Sequence, residues 1–230
     1  MKISLFGVGK TGSKILDVVA KDDEVMAYDS KTQPKLEILK QSDVNIVFVP
    51  MDKFIELSPL LLDSGLPTIV GTTGPSWPAE LLQQIEQRRL HWIWGTNFAI
   101  GMRIIKKMLE AFAVAPDIYE NYKFKIHEVH HTQKLDAPSG TAKSWAEWLG
   151  KPCEITFERT GDIVGDHSLT LQTPYEQITL EHHAHDRRIF AAGAVWAARA
   201  LLHNPPSEYG CIRFEDFTDK HFIALQRGQK

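Results

Sequence analysis

Near the start of the chain, the short apolar run Ile3-Ser4-Leu5-Phe6 passes directly into Gly7-Val8-Gly9-Lys10-Thr11-Gly12. Ile15, Leu16, Val18 and Val19 then recur at helical spacing. A buried strand, a G-x-G-x-x-G turn and a helix in succession leave few folds open, because this order begins a right-handed βαβ unit. Gly7 permits the tight turn, Gly9 lets a pyrophosphate approach the backbone, and Gly12 lets helix and strand pack closely. Phosphates would lie at the helix N-terminus, where free N–H groups favour negative charge. Val25-Met26-Ala27-Tyr28 reads as a second strand ending at Asp29. That is about twenty residues past the glycines, where an acid commonly accepts hydrogen bonds from the adenosine ribose. Gly7, Val8, Gly9, Lys10, Thr11, Gly12 and Asp29 are therefore expected to bind a dinucleotide. Asp29 would repel a 2′-phosphate, which favours NADH over NADPH. Lys31 beside it would offset part of that charge, so either cofactor is expected to bind.

The following residues repeat the strand–helix alternation. Residues 44–49 are almost continuously apolar, as in a parallel strand buried on both faces. Phe54, Ile55, Leu57, Leu60 and Leu61 mark an amphipathic helix. Pro67-Thr68-Ile69-Val70 reads as a fourth strand leading into Gly71-Thr72-Thr73-Gly74, and Ser76 opens a helix carrying Leu81, Leu82 and Ile85. His91-Trp92-Ile93-Trp94 makes a fifth strand before Gly95-Thr96-Asn97-Phe98. This spacing predicts an α/β chain with an N-terminal Rossmann-type, doubly wound parallel sheet. Ligands of such sheets bind at the strands' carboxyl ends, where the three glycine-bearing loops face one crevice.

From Met102 a helix with Ile104, Ile105, Met108, Leu109 and Phe112 runs towards Pro116, and the pattern then changes. Residues 122–131, 153–159, 168–173 and 177–184 alternate as half-exposed strands, which predicts a smaller α+β domain with an open mixed sheet. The expected division is residues 1–101 and 188–230 for dinucleotide binding, with 102–187 for substrate binding and oligomerisation. A last helix over 191–202 returns to the first domain. Within the second domain, Phe124, Ile126, Glu128 and His130 should share one strand face, with His131 opposite and Lys134 one short loop on. Ser139 is a good N-cap for a helix carrying Ala142, Trp145, Trp148 and Leu149. Two histidines and a lysine thus lie beside a helix start whose Gly140 and Thr141 N–H groups suit a carboxylate or phosphate. His183 and His185 would share a strand face, but no clear third ligand accompanies them, and no metal is expected.

The formal net charge is −3 and no basic block interleaves with aromatics, which argues against nucleic acid. No apolar run is long enough to span a membrane, and nothing like a signal peptide precedes the first strand. Two cysteines, Cys153 and Cys211, lie far apart without metal-type spacing, as expected in a reducing cytoplasm.

The run from Glu128 to Ala142, E-V-H-H-T-Q-K-L-D-A-P-S-G-T-A, resembles the E-x-H-H-x-x-K-x-D-A-P-S-G-T-A signature of the dihydrodipicolinate reductase family. Gly71-Thr72-Thr73-Gly74 is similar to that family's G-T-T-G, and Asn97-Phe98 with Gly101 to its N-F-S-x-G, with Ala99 replacing serine. Residues 159–167 resemble its R-x-G-x-I-V-G-x-H. The resemblance implies NAD(P)H-dependent reduction of a dicarboxylate heterocycle, (4S)-4-hydroxy-tetrahydrodipicolinate, in lysine and diaminopimelate biosynthesis. It makes His130 the general acid/base, Lys134 the proton donor, and His131, Gly140 and Thr141 substrate contacts. It assigns the nicotinamide half of the cofactor to Gly71, Thr72, Thr73, Gly95, Thr96, Asn97 and Phe98, and it implies a homotetramer. Two departures touch the cofactor side: Lys10-Thr11 stands for the usual Arg-Met, and Val47-Phe48-Val49-Pro50 replaces D-F-T-x-P. The competing readings are another two-domain dehydrogenase of amino-acid metabolism and a non-catalytic nucleotide sensor. An aspartate-semialdehyde dehydrogenase would need a nucleophilic cysteine, and a sensor has no use for His130, His131 and Lys134 together.

Overall fold

The computed structural model describes residues 1–32, 34–72 and 77–226; Thr73, Gly74 and Ser76, singled out above, lie outside them. In chain order the strands are β1 (Lys2–Phe6), β2 (Glu24–Tyr28), β3 (Val44–Val47), β4 (Thr68–Val70), β5 (His91–Trp94), β6 (Lys123–His130), β7 (Glu154–Arg159), β8 (Asp166–Gln172), β9 (Gln177–His183) and β10 (Gly210–Arg213). The α-helices are α1 (Ile15–Val18), α2 (Leu36–Leu39), α3 (Met51–Ser64), α4 (Ala79–Gln87), α5 (Gly101–Phe112), α6 (Gly140–Leu149), α7 (Arg188–His203) and α8 (Phe214–Gln226). The chain divides into two compact units, Met1–Ile100 with Arg188–Lys230, and Gly101–Arg187.

The first unit is a six-stranded sheet in the order β10-β5-β4-β3-β1-β2, with every pair parallel. Strand order reverses at β1, between β2 and β3, which is where such sheets open a ligand crevice. Successive residues of a strand point to opposite faces, so each face needs its own cover. On one, Ile3, Leu5, Val44, Ile46, Ile69 and Ile93 pack against the alanines of α7. On the other, Phe6, Val47, Val70 and Trp92 pack with Leu39, Phe54, Leu61 and Ile85 from α2, α3 and α4. The small residues of α7 let it approach closely: a Cβ on Gly193 would run into the Phe98 carbonyl. The structure departs from the sequence expectation at several elements, the unforeseen helix α2 among them. The glycine turn leads into a 3-10 turn over Gly12–Lys14 and one turn of α1, because Val19 is already extended at ψ 152°. Leu16 consequently projects into solvent. The sheet also gains β10, and α8 follows it; both were too short or too polar to stand out by periodicity.

The second unit is a mixed sheet in the order β7-β6-β8-β9, with β6–β7 parallel and the other two pairs antiparallel. Its covered face holds Phe124, Ile126, Leu169 and Leu171 against Ala142, Trp145 and Leu149 of α6. Glu128 and His130 continue that face, and both are buried. Register places Glu128 opposite His167 on β8 and His130 opposite Arg159 on β7.

Candidate active site

A carboxylate on the covered face of a strand is tolerable only when its charge is paired and its lone pairs are filled. Glu128 meets that demand with contacts from three segments. Arg159 grips it with both terminal nitrogens, Nη1 to Oε2 at 3.0 Å and Nη2 to Oε1 at 2.9 Å. The Ser139 N–H donates to Oε1 at 3.0 Å, and His130 Nδ1 bonds Oε2. Burial alone would push the carboxyl up, but Arg159, Ser139 and His130 together hold it below the usual carboxylate range. Glu128 therefore stays ionised. Burial pushes the His130 imidazole down, and although Glu128 opposes this, Lys134 and Arg159 add to it. His130 is thus neutral near pH 7, hydrogen-bonded to an anion through Nδ1.

The segment between β7 and β8, which had no assigned role in the sequence reading, closes around this pair. Thr160 N–H donates to the His130 carbonyl, His131 N–H to Ile163 and Thr132 N–H to Gly161, so the loop extends the β6 ladder beyond its last residue. Gly165 lies against the imidazole: a Cβ there would stand 2.9 Å from His130 Nε2. His167 completes the cluster, with its ring centroid 5.1 Å from that of His130 and its Nε2 3.2 Å from Ser139 Oγ. Burial pushes His167 down to about 3, so it too is neutral.

Lys134 sits in the loop after β6, where its N–H donates to the His131 carbonyl and its Nζ to Asp136 at 2.7 Å. Asp136 is held below the usual range chiefly by Lys134, with a further contribution from the Gly140 N–H. Arg159 Nη2 ties this loop down by donating to the Asp136 carbonyl at 2.6 Å. Ser139 then caps α6, accepting from the Ala142 N–H at 3.2 Å through Oγ. The Lys143 N–H bonds the Ser139 carbonyl, which leaves the Gly140 and Thr141 amides at the exposed lip of the helix. His130, Lys134, Gly140 and Thr141 are thereby brought onto one scaffold, with half-buried His131 at its edge. Sequence reading missed Glu128, Asp136, Arg159, Gly165 and His167 as site members. The available signal was a lone acid on an apolar strand face, which has to find a cation.

Glu128, His130 and His167 also offer three ligand atoms within 4.8 Å of one another. The Glu128 oxygens already accept from four donors, and the Arg159 guanidinium lies beside them, so the geometry is a hydrogen-bond network. His183, by contrast, faces Asp166 at 3.3 Å and Glu181 at 3.5 Å as an exposed ion pair. Cys153 has its thiol pushed up by burial, which is the wrong direction for the nucleophile of an aspartate-semialdehyde dehydrogenase.

In the first unit the glycine loop begins at the carboxyl end of β1, at the switch point. Gly7 has φ +91°, its N–H bonds the Tyr28 carbonyl at 2.9 Å, and a Cβ would strike the Phe48 carbonyl. A Cβ on Gly12 would strike the Gly7 carbonyl, whereas one on Gly9 would meet nothing within 4 Å. Two glycines are thus required by the turn itself, and the third leaves bare backbone facing open space, as a dinucleotide phosphate requires. Val8 and Lys10 are exposed and Thr11 half-buried around it. Asp29 accepts from the Lys31 and Thr32 N–H groups at 2.8 and 3.0 Å through Oδ1, bonds that hold it below the usual range. Gly71 and Gly95 continue the ladder by donating to the Val47 and Val70 carbonyls. Thr72 is fully buried with its hydroxyl on the Val49 carbonyl, and Phe98 is buried against Phe214 at 4.5 Å. These two can offer a ligand backbone only. Thr96 is exposed, and Asn97 Oδ1 accepts from the Ala99 N–H at 2.9 Å.

A family model described as the C-terminus of dihydrodipicolinate reductase matches residues 101–214. The 4-hydroxy-tetrahydrodipicolinate reductase of Xanthomonas campestris pv. campestris (strain B100) is 37% identical over 172 residues, covering 73% of this chain and 70% of that protein. The enzyme of the same name from Methanosarcina barkeri is 31% identical over 223 residues, covering 88% and 79%. A solved dihydrodipicolinate reductase from Paenisporosarcina sp. TG-14 with dipicolinate bound shares the fold, with a TM-score of 0.72 at 22% identity over 94% of this chain and 98% of that one. With relatives this similar over this much of their length, and the signature run folded around a buried Glu–His–Arg network, the chain belongs to the dihydrodipicolinate reductase family.

Proposed function

We propose that the protein reduces (4S)-4-hydroxy-2,3,4,5-tetrahydrodipicolinate to 2,3,4,5-tetrahydrodipicolinate, with loss of water and with NADH or NADPH as donor, in lysine and diaminopimelate biosynthesis. The observation that carries this reading is the neutral His130, bonded through Nδ1 to a buried carboxylate and carried on the same scaffold as Lys134 and the helix-start amides of Gly140 and Thr141. The relatives' names and the dipicolinate bound by the solved relative support a small ring with two carboxylates as substrate.

Nicotinamide, when bound, supplies the hydride. The chain's own groups do the rest. In this reading the Gly140 and Thr141 amides, with the Thr141 hydroxyl, hold one substrate carboxylate, which a helix N-terminus favours. Lys134 Nζ donates a proton, and the Asp136 carboxylate that now holds it would yield to the incoming substrate carboxylate. His130 acts as general acid/base and His131 contacts substrate. The unit built on β1 binds the dinucleotide through Gly7, Val8, Gly9, Lys10, Thr11, Gly12 and Asp29, with Gly71, Thr72, Thr73, Gly95, Thr96, Asn97 and Phe98 at the nicotinamide end. Asp29 is an exposed anion at the end of β2, oriented by the Lys31 and Thr32 N–H groups, which supports a preference for NADH. Assembly as a homotetramer through the second unit's sheet is supported by the exposure of most of β9, and a cytoplasmic setting by the two free thiols.

The test is oxidation of NADH and NADPH followed by nicotinamide absorbance, with substrate generated in place from pyruvate and aspartate semialdehyde by a synthase. Turnover that requires the coupled substrate and falls about 10²-fold or more in His130→Ala and Lys134→Ala is expected. Protein that binds NADH yet turns over neither cofactor would refute the reaction.

A further inference from the structure

The imidazole of His130 has a fixed neighbour on each side. Nδ1 bonds the Glu128 carboxylate. Across the ring, a Cβ built on Gly165 would stand 2.9 Å from Nε2 and 3.3 Å from Cδ2, so Nε2 borders room that only a glycine leaves. Glu128 has no freedom to turn away. It is fully buried and receives the Ser139 N–H and both terminal nitrogens of Arg159. An ionised carboxylate can only accept, so a neutral imidazole facing it must present Nδ1–H and carry its lone pair on Nε2.

We propose that Glu128 is the positioning residue of the reaction: it locks His130 in the Nδ1–H tautomer, so that Nε2, beside the room kept by Gly165, is the atom that exchanges a proton with substrate. The inference rests on the reductase reading of His130. When Nε2 takes up a proton, Glu128 stays ionised and faces the imidazolium; when Nε2 gives the proton up, the ring returns to the same tautomer. The carboxylate also sets the geometry of the other groups. Ser139, whose N–H it accepts, caps the helix carrying Gly140 and Thr141. Arg159, which grips it, holds the carbonyl of Asp136, the partner of Lys134. One buried charge thus couples the base, the proton donor and the anion-binding amides.

Glu128→Gln tests this. Oε1 faces two obligate donors, Ser139 N–H and Arg159 Nη2, whereas Oε2 faces one, Arg159 Nη1, so the new NH2 group takes the Oε2 place with loss of the Nη1 bond and turns towards His130, which can answer by accepting on Nδ1. The proton then moves to Nε2. In 15N NMR of histidine-labelled protein near neutral pH, wild type should show protonated Nδ1 and pyridine-like Nε2 for His130, and the variant the reverse. The kcat of Glu128→Gln should fall about 10²–10⁴-fold, with KM and NADH affinity little changed. Gly165→Ala should lower kcat while keeping the wild-type tautomer. A wild-type His130 protonated on Nε2, or Glu128→Gln with kcat intact, would overturn the proposal. The wild-type spectrum decides the tautomer even if the variant does not fold. Wild type that carries the assigned tautomer but reduces no substrate would sink the reductase reading instead.

Discussion

Arg159→Met isolates the electrostatic core of the second unit. The substitution keeps a long apolar stem and removes two charge-assisted bonds to a carboxylate that has no solvent exposure. Breaking a buried pair by deleting one partner typically costs 3–5 kcal/mol. Here the loss has a ceiling, because Glu128 can escape its uncompensated charge by binding a proton. From an unfolded-state carboxyl near 4.3, that escape costs about 1.4 kcal/mol per pH unit, hence about 3.7 kcal/mol at pH 7 and about 1 kcal/mol at pH 5. In wild type the folded carboxyl lies below its unfolded value, so its contribution is fully present at both pH values. In the variant it lies above, so the folded state gains a proton, and stability relative to wild type recovers as pH falls. Urea unfolding at pH 7 and pH 5 should therefore show a loss of about 3 kcal/mol shrinking to about 1 kcal/mol. Adding Glu128→Gln to Arg159→Met should restore part of the pH 7 loss, since the two positions are coupled. A loss below about 1 kcal/mol at pH 7, or one independent of pH, would refute the reasoning.

Buried, neutral His167 predicts acid sensitivity: between pH 6 and 3 the unfolded chain binds a proton there that the folded chain does not. Stability should therefore fall with pH by about 1.4 kcal/mol per unit for this proton, and His167→Leu should flatten the pH slope of the unfolding free energy from urea titration by that amount. Gly7→Ala, at φ +91°, should destabilise the first unit by about 2 kcal/mol in thermal unfolding. Gly9→Ala should leave stability within about 0.5 kcal/mol and weaken NADH binding measured by calorimetry. Asp136→Asn frees Lys134 Nζ from an exposed pair, so KM for the dicarboxylate should drop a few-fold, in keeping with about 0.5–1 kcal/mol for such a contact.

Much of the architecture was legible in one dimension. The alternation of strand and helix specified a parallel sheet, and the glycine turn marked its switch point, because both are local patterns that chain geometry converts directly into topology. The alternating run Phe124, Ile126, Glu128, His130 also assigned four side chains to one face. What remained hidden depended on pairing between distant segments. The strand β10 is four residues long and takes its place only because β5 offers a free edge. Arg159, Gly165 and His167 lie some thirty residues beyond His130 and meet it through the register of β7 and β8 against β6. Sequence alone determined that this chain carries a glycine turn between a strand and a helix and a cluster of histidine and lysine side chains, since residue type and spacing suffice for both. Only the tertiary structure decided that a buried carboxylate holds the cluster together, because the partners that make such a charge tolerable come from three separate segments.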